Sequence, residues 1–255
     1  HCHLQLIDEA PTSVLERTPQ VSWLVVPGVD VASSLAGVAL AERFTGRVFA
    51  AVGLHPDHAD RWPDELDRIV ELVPRAIAVG ETGLDLYRNR SSRRNQLVAF
   101  RALLGTAVEQ DKPVIVHCRD AFREVHDAIE QTEAGERVIM HCWSGGPHWT
   151  RRFLEMGVTF SFADRVITGT DDMIRRGAAL IPPDRAMVET DAPHSCPYRD
   201  GRRAAEPVDI GLVGASLSLI WKMTCDKVAE LTTSTTRRVF GGTDSIGRSA
   251  RGVHV

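Results

Sequence analysis

At 255 residues, 43% of them hydrophobic, the chain can bury one large core, and barrels of about 250 residues commonly form one domain, so no second domain is required. A net charge of −4 excludes a global pull toward nucleic acid or an anionic membrane, and any phosphate recognition must come from local groups. Five cysteines with no CxxC pair exclude a disulfide framework, and no apolar run approaches the roughly 18 residues that span a bilayer. The expectation is a soluble cytoplasmic monomer without a membrane partner, since no exposed apolar helix is evident.

The chain opens with an apolar segment, 1–6, that reads as a strand, followed by 8–20, which with Pro11 and Pro19 makes a poor helix. Short β-branched or apolar runs then recur at 21–26, 48–53, 76–80, 113–117, 137–141, 158–162 and 186–189, the pattern of strands buried on both faces. Amphipathic stretches at 63–73, 93–110, 119–131, 148–156 and 171–180 separate them, and 210–223 and 226–240 follow the last. Strands alternating with helices form βαβ units, and eight of them close most simply into a TIM-type (β/α)8 barrel, an α/β fold in a single domain over 1–241. Residues 242–255 read as a loosely ordered tail.

Polar residues gather where such a barrel does its chemistry, at the C-terminal ends of the strands. His1 and His3, His55, Glu81 with Asp85, His117, His141, and Glu189 with Asp191 fall at the ends of proposed strands. In His1-Cys2-His3 the histidines are two apart on extended chain, so both imidazoles face the barrel mouth while Cys2 packs outward. Five histidines with acids at successive strand ends would be costly to desolvate without a cation. Imidazole nitrogen mixed with carboxylate oxygen suits zinc, magnesium or manganese, and a carboxylate-bridged pair of such ions prepares water to attack a phosphoryl or acyl centre.

The runs HCHL at His1, GLHP at Gly53, GETGLD at Gly80, PVIVHCRDA at Pro113, HCWSGG at His141 and ETDAP at Glu189 resemble, in order and spacing, the motifs of the TatD family of metal-dependent deoxyribonucleases within the amidohydrolase superfamily. The resemblance implies two divalent metal ions, one held by His1, His3, Glu81 and Asp191, the other by Glu81, His117 and His141. It implies Glu81 as the bridge, Asp191 as acid/base partner of the attacking water, and His55 as a contact to substrate phosphate or leaving group. Gln5 stands where the family usually has aspartate, and Ala205 where it usually has asparagine.

Arg119, directly after His117, is expected near the metals, and His194, directly after ETDAP, to face substrate or solvent. Tyr87 and Trp143 suit stacking on a base or sugar, with packing against the barrel rim the plainer and slightly favoured reading. Arginines cluster at Arg88, Arg90, Arg93 and Arg94 and at Arg199, Arg202 and Arg203, as phosphodiester recognition would use or as solvated loop residues. His58, His126, His148 and His254 fall outside the motifs and read as surface residues. The function that follows is hydrolysis of DNA phosphodiesters at single strands or ends. A small-molecule amide, ester or lactone hydrolase using the same centre is the alternative, and a barrel that has lost its chemistry is a distant third.

Overall fold

In the computed structural model, residues 1–167, 172–194 and 204–241 are described. Seven parallel strands pair in chain order: β1 (Leu24–Pro27), β2 (Val48–Val52), β3 (Ala78–Asp85), β4 (Val114–Arg119), β5 (Val138–Met140), β6 (Thr159–Phe162) and β7 (Ala186–Val188). They curl into a TIM-type barrel wrapped by helices α1 (Pro11–Glu16), α2 (Val31–Arg43), α3 (Trp62–Leu72), α4 (Arg93–Glu109), α5 (Phe122–Thr132), α6 (Pro147–Glu155), α7 (Asp172–Ala178), α8 (Ile210–Trp221) and α9 (Cys225–Val239).

The expected first strand is absent as a regular element. Leu4–Leu6 is a 3-10 turn, and His1 to His3 bridge the seam between β1 and the segment after β7. Cys2 N donates to Val25 O at 3.1 Å and His3 N to Ala192 O at 2.7 Å, while Asp191 N donates back to His1 O at 3.2 Å. These bonds substitute for an eighth strand at the mouth of the barrel. Lower in the seam, between β1 and β7, lies a cavity of about 400 Å³ lined in part by Val25, Met187 and Phe240.

The hydrophobic effect divides the core in two. Most buried apolar side chains, Phe100, Leu103, Ile129, Phe153 and Phe160 among them, lie between the barrel and its helices. Inside the barrel Val25, Ala51, Ala78, Ile115, Ile139 and Met187 form a small apolar layer plugged by Phe240 from the end of α9. That layer floors the polar mouth.

Two helices were not anticipated. In α1 Pro11 takes the first turn, where its missing N–H costs nothing. In α2 the sequence offers small residues on every side and little amphipathic contrast, but Asp30 and Ser33 form a reciprocal capping box at its start. Two surface readings also change. His126 is buried beside Trp149 and Phe153. Leu212, Leu219 and Met223 are exposed along α8 and its end, so an apolar helical stripe does exist. No single described helix is long and apolar enough to cross a membrane. The proposed tail 242–255, His254, and Arg199, Arg202 and Arg203 lie outside the described residues, as does the start of the 171–180 stretch.

Candidate metal centre

Glu81 sits inside β3, not at its end, because the strand runs on to Asp85. The β3–β4 register shifts between Val79 and Thr82, and such an irregularity re-aims the side chain it carries. Gly80 beside it has φ +138°, and a Cβ there would meet Ile115 at 2.8 Å, so only glycine admits this path. Gly83 faces His117 across the same pair, and a Cβ there would meet the His117 carbonyl at 2.0 Å. The two glycines let β3 press against β4 and bring Glu81 to His117. Cys142 and Asp191, each just past a strand, adopt left-handed φ values of 45° and 54°, the strained backbone that functional sites tend to hold.

Two donor clusters share Glu81. In the first, His1 Nε2 lies 3.1 Å from His3 Nε2, 3.6 Å from Glu81 Oε2 and 3.5 Å from Asp191 Oδ1. His3 Nε2 lies 3.4 Å from the same Glu81 oxygen and 3.5 Å from the same Asp191 oxygen. In the second, Glu81 Oε1 lies 2.9 Å from His117 Nδ1 and 3.6 Å from both His141 Nε2 and His55 Nε2. A tetrahedral ion about 2.1 Å from each ligand sets its ligands about 3.4 Å apart, a spacing met throughout the first cluster and, in the second, between Glu81 and each histidine.

The rear nitrogens of the rings separate ligand candidates from the remaining histidine. His3 Nδ1 donates to Pro27 O at 3.0 Å, and His117 Nε2 donates to Asp85 Oδ2 at 3.1 Å. Nδ1 of His141 lies 2.8 Å from Glu189 Oε1, and Nδ1 of His1 lies 3.5 Å from Glu189 Oε2, though both are too poorly aligned for hydrogen bonds. A rear nitrogen that faces an acceptor keeps its proton there and leaves the front lone pair for a cation. His55 is reversed: its Nδ1 accepts from Asp57 N at 3.0 Å, so the neutral ring carries its proton on Nε2, which points at the cluster as a donor.

Titration follows the same geometry. Burial disfavours charge on the His55 ring and holds it near 3, so it is neutral over the physiological range. Burial acts the same way on His3 and His141, yet Asp191 and Glu81 lift His3 to about 9, and Glu189, Glu81 and Asp191 lift His141 to about 10. Burial would raise Glu81, but the charge of His141 and contacts from His117 and His3 hold it well below the usual carboxylate range. Asp191 is lowered against burial by His141 and His3. Buried acids and imidazoles thus neutralise one another where a cation would otherwise do so.

The structure also brings Arg119, Tyr87 and His194 to the mouth. The Arg119 guanidinium lies 4.0 Å from the centre of the exposed Tyr87 ring, and the His194 ring packs edge-on to His3 at 5.0 Å. Trp143 does not join them. It is buried against Phe122, Phe153 and Phe160, with its indole N–H donating to Thr150 Oγ1, which closes it to any ligand. Gln5 donates to Pro27 O at 2.8 Å, sharing the carbonyl that anchors His3, and Ala205 packs into the apolar cluster around Cys2. The sequence flagged Glu189 and Asp85 as strand-end acids, without showing that each stands behind a histidine. Asp57, buried beside His55, carried no motif that marked it.

Residues 1–241 match the family described as TatD related DNase. The chain is 34% identical to the metal-dependent hydrolase TatD of Mycobacterium tuberculosis, covering 90% of each chain. It is 31% identical to the 3′-5′ ssDNA/RNA exonuclease TatD of Erwinia amylovora, covering 88% of this chain and 90% of the other. Among solved structures, the TatD homologue YJJV of Escherichia coli K12 superposes with a TM-score of 0.88 at 24% identity, covering 94% of this chain and 96% of that one, a likeness of fold.

Proposed function

Because the chain belongs to the TatD related DNase family it is a metal-dependent hydrolase, and we propose that it trims single-stranded nucleic acid from a 3′ end using two divalent ions. His1, His3, Glu81 and Asp191 would hold one ion, and Glu81, His117 and His141 the other. The observation that carries this reading is the pair of donor clusters meeting on the two oxygens of Glu81, with the rear nitrogens of His1, His3, His117 and His141 turned toward acceptors.

When bound, such ions supply a nucleophile at neutral pH and a clamp for the phosphate. The residues do the rest. Asp191 is the more accessible acid of the cluster, 15% exposed against 3% for Glu81, which suits it to take the proton of the attacking water. His55, neutral with its proton on Nε2, is oriented to donate to a phosphate oxygen or to the departing group. Arg119 over Tyr87, and His194 beside His3, would frame the entrance where a terminal nucleotide would rest. The four cysteines among the described residues are unpaired, which favours a reducing, cytoplasmic setting.

The test is hydrolysis of a 5′-labelled single-stranded oligodeoxynucleotide by metal-stripped protein, with magnesium, manganese or zinc restored singly and Glu81→Ala run alongside. Cleavage should return with metal, shorten the strand from its 3′ end, and be absent in the variant. Bound metal with DNA intact under every condition would overturn the nuclease reading and favour a small-molecule ester or amide.

A further inference from the structure

Beside the metal cluster the loops after β2 and β3 are stitched together. Ser91 Oγ donates to Asp57 O and accepts from Asp60 N, while Asp60 Oδ1 accepts from Ser92 N and Asn95 Nδ2. Gln96 closes the stitch from α4, donating to Asp85 O and Ser91 O and accepting from Asp85 N. This network holds two buried acids in place. Asp85 backs His117, and Asp57, whose side chain is 8% exposed, lies 3.9 Å from His55 Nδ1.

Asp57 is otherwise hard to account for. Its Oδ1 is buried with no partner among the described residues, and a buried carboxylate is expensive unless a cation repays it. The cations that meet its Oδ2 are Arg88 at 3.5 Å and Arg90 at 3.2 Å. They are not equivalent. Arg88 Nη1 also lies 3.7 Å from Asp85 Oδ2, so its guanidinium spans the acids behind His55 and His117, whereas Arg90 is 67% exposed and, among the described residues, pairs with Asp57. The charge of Arg88 is felt by His55 and by His194. Arg93 pairs away from the site, with Glu124.

We propose that Arg88 binds the substrate phosphate next to the scissile one, and that Asp57 is its positioning residue. This rests on the nuclease reading above. A guanidinium fixed by two carboxylates on one edge keeps N–H groups for a phosphate on the other, and 39% of the Arg88 side chain is open to solvent. The scissile phosphate belongs on the ions, since Arg88 reaches the cluster only through Asp57 and Asp85. Its own phosphate is therefore the neighbour on the His55 side.

The test compares wild type, Arg88→Ala, Arg88→Lys and Asp57→Asn, metal-loaded, on a single-stranded DNA 12-mer and on bis(4-nitrophenyl) phosphate, which has no neighbouring phosphate. On DNA, Arg88→Ala should raise KM about tenfold with kcat within about twofold, and flatten the dependence of log binding on log salt by about 0.7, the loss of one phosphate contact to a single strand. Arg88→Lys should keep most of the salt slope. Asp57→Asn should raise KM on DNA in the same direction, with its melting temperature checked separately. On bis(4-nitrophenyl) phosphate the loss in Arg88→Ala should be clearly smaller than on DNA. An unchanged KM and salt slope in Arg88→Ala, in a wild type that does cut DNA, overturns the proposal. Equal losses on both substrates overturn it too, placing Arg88 on the scissile group. A wild type that leaves DNA intact sinks the nuclease reading instead.

Discussion

Glu189 reaches across β6 to stand 2.8 Å from Nδ1 of His141, with its Oε1 also accepting from Cys142 N at 2.6 Å. Its other oxygen lies 3.5 Å from Nδ1 of His1, so one carboxylate stands behind a histidine of each donor cluster. Glu189→Gln should keep the barrel folded and weaken metal affinity or turnover by about 10- to 100-fold, the usual effect of removing a partner behind a ligand. Metal titration of the stripped protein measures it. An affinity and rate equal to wild type would mean that Glu189 does not orient the rings.

His55 is expected to act as a donor and not as a ligand. His55→Gln should therefore keep its metal, measured by elemental analysis after gel filtration, while turnover falls by about 10² to 10⁴. Loss of one ion per chain would show that His55 belongs to the cage.

Without metal, pH should act on this site in a defined direction. His3 and His141 are raised from 6.5 to about 9 and 10, so the stability they contribute is complete below about pH 6.5 and is lost as pH climbs through those values. Glu81 and Asp191 are lowered, so theirs is present above about pH 4.5 and lost on acidification. The stripped protein should be most stable between about pH 4.5 and 6.5, and zinc added at pH 7 should displace protons from the rings. Calorimetry in two buffers of different ionisation enthalpy reads that release. Identical apparent enthalpies would contradict it.

Trp143 should matter to the fold and not to the chemistry. Trp143→Ala is expected to cost about 3–5 kcal/mol of stability as a buried aromatic, while Trp143→Phe should keep normal KM values on DNA. A raised KM in an otherwise stable Trp143→Phe would restore a role at the entrance.

Much of this was legible in the sequence because barrel strands are short, buried and regularly spaced, and because the residues after them are polar without local cause. The strands at 48–52 and 159–162 are two such cases. Residues read from proximity along the chain fared worse. Trp143 is two from His141, but the left-handed turn at Cys142 breaks the alternation between them and sends the indole into the core. His126 was readable in principle, since Phe122, Val125, His126 and Ile129 share one helical face, and that face is inward. The proton positions on His55 and His117 depend on Asp57 N and Asp85, partners that only the folded chain brings into contact.

The barrel's seam and its chemistry are one structure. The main-chain bonds that join His1, Cys2 and His3 to Val25, Asp191 and Ala192 clasp β1 to the far edge of the sheet, and they carry three of the four donors of the first cluster. An ion held there by His1, His3, Glu81 and Asp191 would act as a rivet through the clasp. Opening the seam would then pull apart three of the donors that would hold the ion. Amide exchange at Cys2 and His3 should therefore slow as metal concentration rises.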